Sequence, residues 1–278
     1  MDTVSVVFSL PEGSDLESEL LIYELGGLGY EGFVEENEKI EAYIIADQFN
    51  KQHLEALLQQ ERFKRLFVVS IKEHKEQNWN ALWEASYSDV IINNRCRVRA
   101  PFHEVRPDIE FDLLIEPRMS FGTAHHETTH LMIGLLLELQ LTDRSLVDMG
   151  CGTAVLAILG RKLGAFPVYA IDNDEWAVDN ARDNVQLNNT GDISVIAGDA
   201  RQLAHIRTDF LLANINRNIL LQDMSAYWES INKGGTMILS GFFEEDLGLI
   251  NDKCVGLGLI FTKHLVRNQW CAAVFNKP

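Results

Sequence analysis

Two short stretches carry residue types from which a reactive site can be built. The first, "HETTH" at 126–130, sets His126 and His130 four apart with Glu127 between them. On a helix that spacing puts two imidazoles on one face, one turn apart, with a carboxylate placed to activate a zinc-bound water. The second, "DMGCGTA" at 148–154, has Asp148, Gly150 and Gly152 after an apolar run. Alternating glycines at the carboxyl end of a strand form a ligand loop in open α/β sheets. The two stretches point to different chemistries.

The glycine loop narrows its own ligand. A dinucleotide site calls for G-x-G-x-x-G or A, and the sixth position here is Val155. An acidic residue before the glycines also argues against a pyrophosphate, whereas it suits the positively charged amino group of an amino-acid moiety. Asp172 stands 20 residues beyond Gly152 at the end of the next apolar run, where a carboxylate can accept from both ribose hydroxyls. A ligand with a ribose, an amino acid and no phosphate is S-adenosylmethionine. Asp199 in "AGDA" has two readings, a contact to the adenine edge and a turn carboxylate that caps the next segment. Asn214 in "ANIN" offers both donor and acceptor to an amino group or an incoming nucleophile. Its alternative is an asparagine that simply ends a strand.

The elements that must position these residues fall into two rhythms. Over residues 1–74 short strands and helices follow β-α-β-β-α-β, the ferredoxin-like split arrangement. Ser14 with Glu17 three residues on marks a helix start, and Asn37-Glu38 a hairpin turn. Residues 75–90 carry Trp79 and Trp83 at helical spacing, an aromatic face that packs a linker helix. "NRCRVRAP" and "FDLLIEP" read as strands. From residue 126 helices alternate with the strands "SLVDMGC", "VYAIDND", "ISVIAGDA", "DFLLANIN" and "TMILSGFF", which predicts a parallel sheet covered on both faces. "LIFTKHLVRNQ" and "WCAAVFNK" follow each other without a helix, as an antiparallel edge pair would. The fold class expected is α/β: a Rossmann-like S-adenosylmethionine-binding domain over 91–278, preceded by a small ferredoxin-like α+β domain.

Composition sets the outer limits. The net charge of −17 makes a bare nucleic-acid duplex an unsuitable partner, because phosphate binding needs basic surface. Solubility alone accounts for such a charge. So does steering of a lysine-rich protein, since residues 1–50 hold twelve carboxylates and one basic side chain, Lys39. Cys96, Cys151, Cys254 and Cys271 form no C-x-x-C pair, so neither a disulfide framework nor a cysteine zinc site is indicated. No membrane span or signal peptide is legible, and a cytoplasmic setting is expected.

"FGTAHHETT", "VDMGCGTAVLAI", "AIDND" and "ANINRNIL" together resemble the PrmA family, the methyltransferases of large-subunit ribosomal protein eleven. The resemblance covers essentially the whole chain, and its most specific part is F-G-T-G-x-H-x-T-T. His126 and Thr129 fall on that pattern, while Glu127 and His130 occupy positions it leaves open. "HETTH" is therefore read as accidental, with no metal site, in keeping with the lack of a third ligand-bearing helix. The resemblance implies that Thr129, Gly150, Asp172 and Asn214 contact S-adenosylmethionine; the loop and strand-end reading adds Asp148, Gly152 and Asp199. It implies methyl transfer to lysine side-chain or N-terminal amines of ribosomal protein eleven, with residues 1–74 reading the substrate; Asn214, by its donor and acceptor, is the catalytic candidate that orients the amine. Ala124 and Ala154 stand where the family usually has glycine, and Arg217 adds charge near the mouth. The rivals are a methyltransferase for another protein or a small amine, and a cofactor-binding adaptor that has lost activity.

Overall fold

The computed structural model describes residues 2–11, 15–36, 38–75, 84, 86–118, 122 and 124–278. It divides into two units, Met1–Ser86 and Tyr87–Pro278. Ser14, Asn37, Trp79, Trp83, Phe121 and Thr123 lie outside the described residues, as do residues 76–83 and 85 of the helix expected over 75–90.

In the first unit β1 (Thr3–Ser9), α1 (Asp15–Gly27), β2 (Gly32–Glu36), β3 (Lys39–Ile45), α2 (Lys51–Leu58) and β4 (Phe67–His74) follow in order. The strands form one antiparallel sheet in the order β2-β3-β1-β4, the ferredoxin-like arrangement. Val4, Val6 and Phe8 of β1 and Ile40, Ala42 and Ile44 of β3 alternate inward, onto Leu21, Leu25, Leu54 and Leu57 of the two helices. Asn50 caps α2, its side chain accepting from the N–H groups of Gln52 and His53. The Glu36↔Lys39 register closes β2 and β3 into a hairpin whose Glu38 has φ 58°.

The second unit opens with a small sheet of β5 (Val90–Ile92), β6 (Cys96–Arg99) and β7 (Phe111–Leu114). β5 is an addition to the sequence reading, which gave Val90 to the linker. Residues 87–90 are pinned to this unit: His103 Nε2 is 2.7 Å from Tyr87 O, His125 Nε2 is 2.8 Å from Ser88 O, and buried Arg97 pairs with Asp89.

The large sheet contains β8 (Leu146–Met149), β9 (Val168–Asp172), β10 (Ser194–Ala197), β11 (Thr208–Asn214), β12 (Ile231–Phe243), β13 (Ile260–Arg267) and β14 (Trp270–Asn276). Its order is β10-β9-β8-β11-β12-β14-β13. β8 to β12 run parallel, and the chain reverses direction across the sheet between β8 and β11, the switch point where ligands bind. The last two strands pair antiparallel as expected, with β14 inserted beside β12 and β13 left at the edge. One face is covered by α3 (Glu127–Leu136), α4 (Val155–Lys162) and α5 (Glu175–Leu187), the other by α6 (Arg217–Ser230) and α7 (Leu247–Gly256). Both faces being apolar, the central strands are largely hydrophobic, with Asp148 the buried carboxylate within β8. Among the described residues no helix is long and apolar enough to cross a membrane.

Candidate active site

At the carboxyl ends of β8, β9 and β11 two adjoining clefts share Gly150, Asp172, Asn173, Ile215 and Ile219. The first, about 420 Å³, is also lined by Gly152, Asn214, His126, Thr128 and Trp270. The second, about 450 Å³, runs on past Asp199, Ala200 and Asp223. Of the expected residues, Gly150, Gly152, Asp172 and Asn214 thus meet at one cleft, and Asp199 lines its extension.

The loop after β8 is held by backbone and carboxylate. The N–H groups of Gly150 and Cys151 donate to Ile171 O, and that of Gly152 to Asp172 Oδ2 at 2.8 Å. Asp172 Oδ1 accepts from Asp174 N–H at 3.1 Å, which leaves each oxygen a lone pair for a ligand hydroxyl. Gly150 has φ 67°, and a Cβ there would stand 2.2 Å from Ile215 Cγ2, so only glycine fits. Ala124 (φ 65°) and Ala154 (φ 61°) nonetheless keep the left-handed backbone that glycine would adopt freely. The loop geometry survives these two alanines at the cost of local strain.

Asp148 lines neither cleft. It is 1% exposed and points behind the loop, where Oδ2 accepts the N–H of Ala157 in the first turn of α4 at 3.1 Å. Ala154 has no side chain to cap that helix, so Asp148 supplies the acceptor from the strand. Burial pushes its carboxyl up to about 8, opposed by the Ala157 bond and assisted by the neighbouring charge of Asp172. Asp199 caps the short 3₁₀ helix Ala200–His205 through Arg201 N–H and forks onto the Arg201 guanidinium, which holds its carboxyl down at about 2. Its capping role is therefore real, on the wall of the second cleft.

Thr128, not Thr129, faces the cleft. Thr129 is buried, and its hydroxyl accepts from Asn214 Nδ2 at 3.3 Å. Asn214 is oriented by that bond, and its Oδ1 is buried with no partner among the described residues. A buried carbonyl left unpaired at a cleft wall is an acceptor prepared for an external N–H. Arg217 does not present free charge to the mouth, since Nη1 pairs with buried Asp246 at 2.5 Å.

"HETTH" does not build the helical pair its spacing suggests. His126 is the extended residue that caps α3, its Nδ1 accepting from Thr128 N–H at 3.3 Å and lying 2.8 Å from the Thr128 hydroxyl. Glu127 pairs with Arg267 and accepts from Asn268, and His130 Nε2 is 3.3 Å from Arg267 Nη1.

A family described as "Ribosomal protein L11 methyltransferase (PrmA)" matches residues 2–278. The chain belongs to this family. A ribosomal protein L11 methyltransferase of Porphyromonas gingivalis (strain ATCC BAA-308 / W83) is 43% identical over 283 residues, covering 99% of this chain and 98% of the relative. One of Bacteroides fragilis (strain YCH46) is 41% identical over 261 residues, 93% of each. The crystal structure of a ribosomal protein L11 methylase from Lactobacillus delbrueckii subsp. bulgaricus shares the fold, with a TM-score of 0.65 at 22% identity over 69% of this chain and 100% of that one.

Residues that sequence reasoning missed connect the family's loop to its surroundings. Asn180, Asn184 and Asn188 form a buried stripe along α5. Asn184 Nδ2 donates to Thr153 O at 3.1 Å and its Oδ1 accepts Glu116 N–H, while Asn188 bonds both the N–H and O of Leu114. Thr153 in turn donates to Gly122 O at 2.7 Å. The signal was present as three asparagines at spacing four, but a helix-period reading takes in apolar residues only.

Proposed function

We propose that this chain is an S-adenosylmethionine-dependent protein N-methyltransferase acting on lysine side-chain or N-terminal amines of large-subunit ribosomal protein eleven. The observation that carries the reading is Asn214, which lines the same cleft as Asp172 and whose buried Oδ1 has no partner among the described residues. These groups fit the donor: Asp172 accepts from ribose hydroxyls, the positive-φ glycines Gly150 and Gly152 admit close backbone approach, and the cleft past Asp199 and Ala200 takes the base. When bound, S-adenosylmethionine supplies an electrophilic methyl on a positively charged sulfur.

The chain's own residues do the rest. A free lysine amine has a pKa near ~10.4, so its attacking form is a small minority near neutral pH. Ile215, Ile219 and Trp270 make part of the cleft wall apolar, which disfavours the ammonium and excludes water. Asn214 Oδ1 accepts an N–H of the amine and aims its lone pair, with Thr129 fixing the amide. Alignment in such a slot can contribute roughly 7–11 kcal/mol.

The first unit is the substrate reader in this account. Twelve carboxylates against one lysine in residues 1–50 suit a lysine-rich protein. The net charge of −17 disfavours direct nucleic-acid binding, and the assignment carries a cytoplasmic, membrane-free setting with it. The test is mass spectrometry of purified ribosomal protein eleven after incubation with this chain and S-adenosylmethionine, with and without chelator. Gains in steps of one methylene, indifferent to chelator, are expected. No gain would discard the acceptor, and a chelator-sensitive gain would restore a metal.

A further inference from the structure

Trp270 opens β14 and lines the cleft alongside Asn214, Ile215 and Ile219. Its ring lies 4.2 Å from that of Phe243 and 4.6 Å, edge to face, from that of His126. It is delivered by the turn Asn268–Gln269, whose residues have φ 48° and 69°, as a two-residue hairpin turn of type I′ requires. β13 is the edge strand of the sheet, so among the described residues this turn has no neighbouring strand on its outer side.

Besides the β13–β14 ladder, Glu127 grips the turn. One carboxylate oxygen accepts from Asn268 Nδ2 at 2.6 Å, and the other pairs with Arg267 Nε. The side chain is only 24% exposed, and Arg267 and Asn268 together hold its carboxyl below the usual range. Both oxygens thus engage the two residues that flank the start of the turn. From the other side, Gln269 O accepts the N–H of Glu244 at 2.8 Å. The position that the family pattern leaves open is the one that ties the first turn of α3 to the hairpin.

We propose that Glu127 is a positioning residue for the acceptor: through Arg267 and Asn268 it fixes the hairpin, and so places Trp270 as the wall against which the acceptor's aliphatic stem packs. The inference rests on the amine-transfer reading above. Asn214 can direct only the nitrogen. A lysine side chain also brings a four-carbon stem that gains by leaving water, and Trp270 with Ile215 and Ile219 offers it apolar surface beside Asn214.

Steady-state transfer to ribosomal protein eleven, with calorimetric titration of S-adenosylhomocysteine, tests this in Trp270→Ala, Trp270→Phe, Glu127→Ala, Glu127→Gln and the double alanine variant. Trp270→Ala should raise the acceptor KM roughly 30-fold, the effect of removing a buried aromatic anchor, and Trp270→Phe should recover most of it. Glu127→Ala should raise the same KM about threefold to tenfold with kcat and cofactor Kd nearly unchanged. Glu127→Gln, which keeps an acceptor for Asn268, should fall between. The double variant should be no worse than Trp270→Ala, because Glu127 acts through that ring. Multiplying effects in the double variant, or an unmoved KM in Glu127→Ala, would overturn the proposal while leaving amine transfer intact. No transfer by the unaltered chain would overturn the functional reading, and this inference with it.

Discussion

Strand β1 of the first unit and strand β8 of the second are both short apolar runs, buried in different ways. β1 sends Val4, Val6 and Phe8 to one core and leaves Thr3, Val7 and Ser9 partly open, whereas all four residues of β8 are buried. The contrast extends to polar side chains. Among the described residues of the first unit Ser5, Ser18 and the Tyr30 hydroxyl are buried; the two serines are satisfied inside it, by His74 and by Glu35, and the Tyr30 hydroxyl has no partner among the described residues. In the second unit Thr128, Thr129, Asp148, Thr153, Asp172 and Asn214 are buried around the ends of β8, β9 and β11. Taking a polar group out of water is costly unless it has a partner or a task. The first unit buries few polar side chains, and the second gathers several at one end of a sheet.

That division can be broken most directly by removing residues 1–86. Methyl transfer to the ribosomal protein should fall roughly 100-fold or more with the loss of the second contact, while cofactor Kd stays within about twofold. Retained transfer would place recognition in the second unit. Asn214→Ala tests the other side: turnover should drop roughly tenfold to 100-fold with cofactor Kd little changed, and equal losses in both would make it a cofactor ligand only. Gly150 and Glu38 then compare one backbone conformation in two settings, φ 67° and 58°. Gly150→Ala drives a methyl to 2.2 Å from Ile215 Cγ2 and should weaken cofactor binding roughly tenfold. Glu38→Ala, on an exposed turn, should change stability by less than about 0.5 kcal/mol.

Two smaller effects sharpen the account of the loop. Asp148 titrates at about 8 in the fold against an ordinary 3.8, so the fold favours its protonated form. Its contribution to stability is fully present below about pH 4 and is lost as pH rises toward 8. Asp148→Asn keeps an acceptor for Ala157 and removes the titration. Its thermal midpoint should exceed that of the unaltered chain by a few degrees at pH 8 and by less at pH 5. An equal difference at both would mean that Asp148 does not titrate in this way. Ala154→Gly should relieve a strained φ of 61° for a net gain of about 0.5 kcal/mol, since glycine's extra freedom when unfolded offsets much of the relief; a loss would mean that the methyl packs usefully.

Much of this was legible in the chain because local patterns carried it. Periodicity located most strands and helices of both units, β5 excepted, and the D-x-G-x-G loop with Asp172 and Asn214 identified the ends of the strands that form the cleft. Side-chain direction was less legible. In β8 successive residues face opposite sides of the sheet, and the sequence does not say which side holds the ligand, so Asp148 was expected at the cleft and stands behind it. α3 begins one residue after His126, an unusual cap, and this turns Thr128 into the cleft and Thr129 inward to Asn214. Insertion of β14 between β12 and β13 was hidden because strand order is decided by tertiary pairing. The role of Glu127 depends on Arg267 and Asn268, 140 and 141 residues away, a contact that no local spacing encodes.

Asp172 and the glycine loop are expected to hold the methyl donor at the end of this sheet. Calorimetric titration of S-adenosylhomocysteine into the unaltered chain and into Asp172→Ala tests it most directly. The account predicts saturable one-site binding in the first and a loss of roughly tenfold to 100-fold or more in affinity in the second, as two hydrogen bonds to a charged group and the anchor of Gly152 disappear. No binding to the unaltered chain, or undiminished binding without the Asp172 carboxylate, would contradict it.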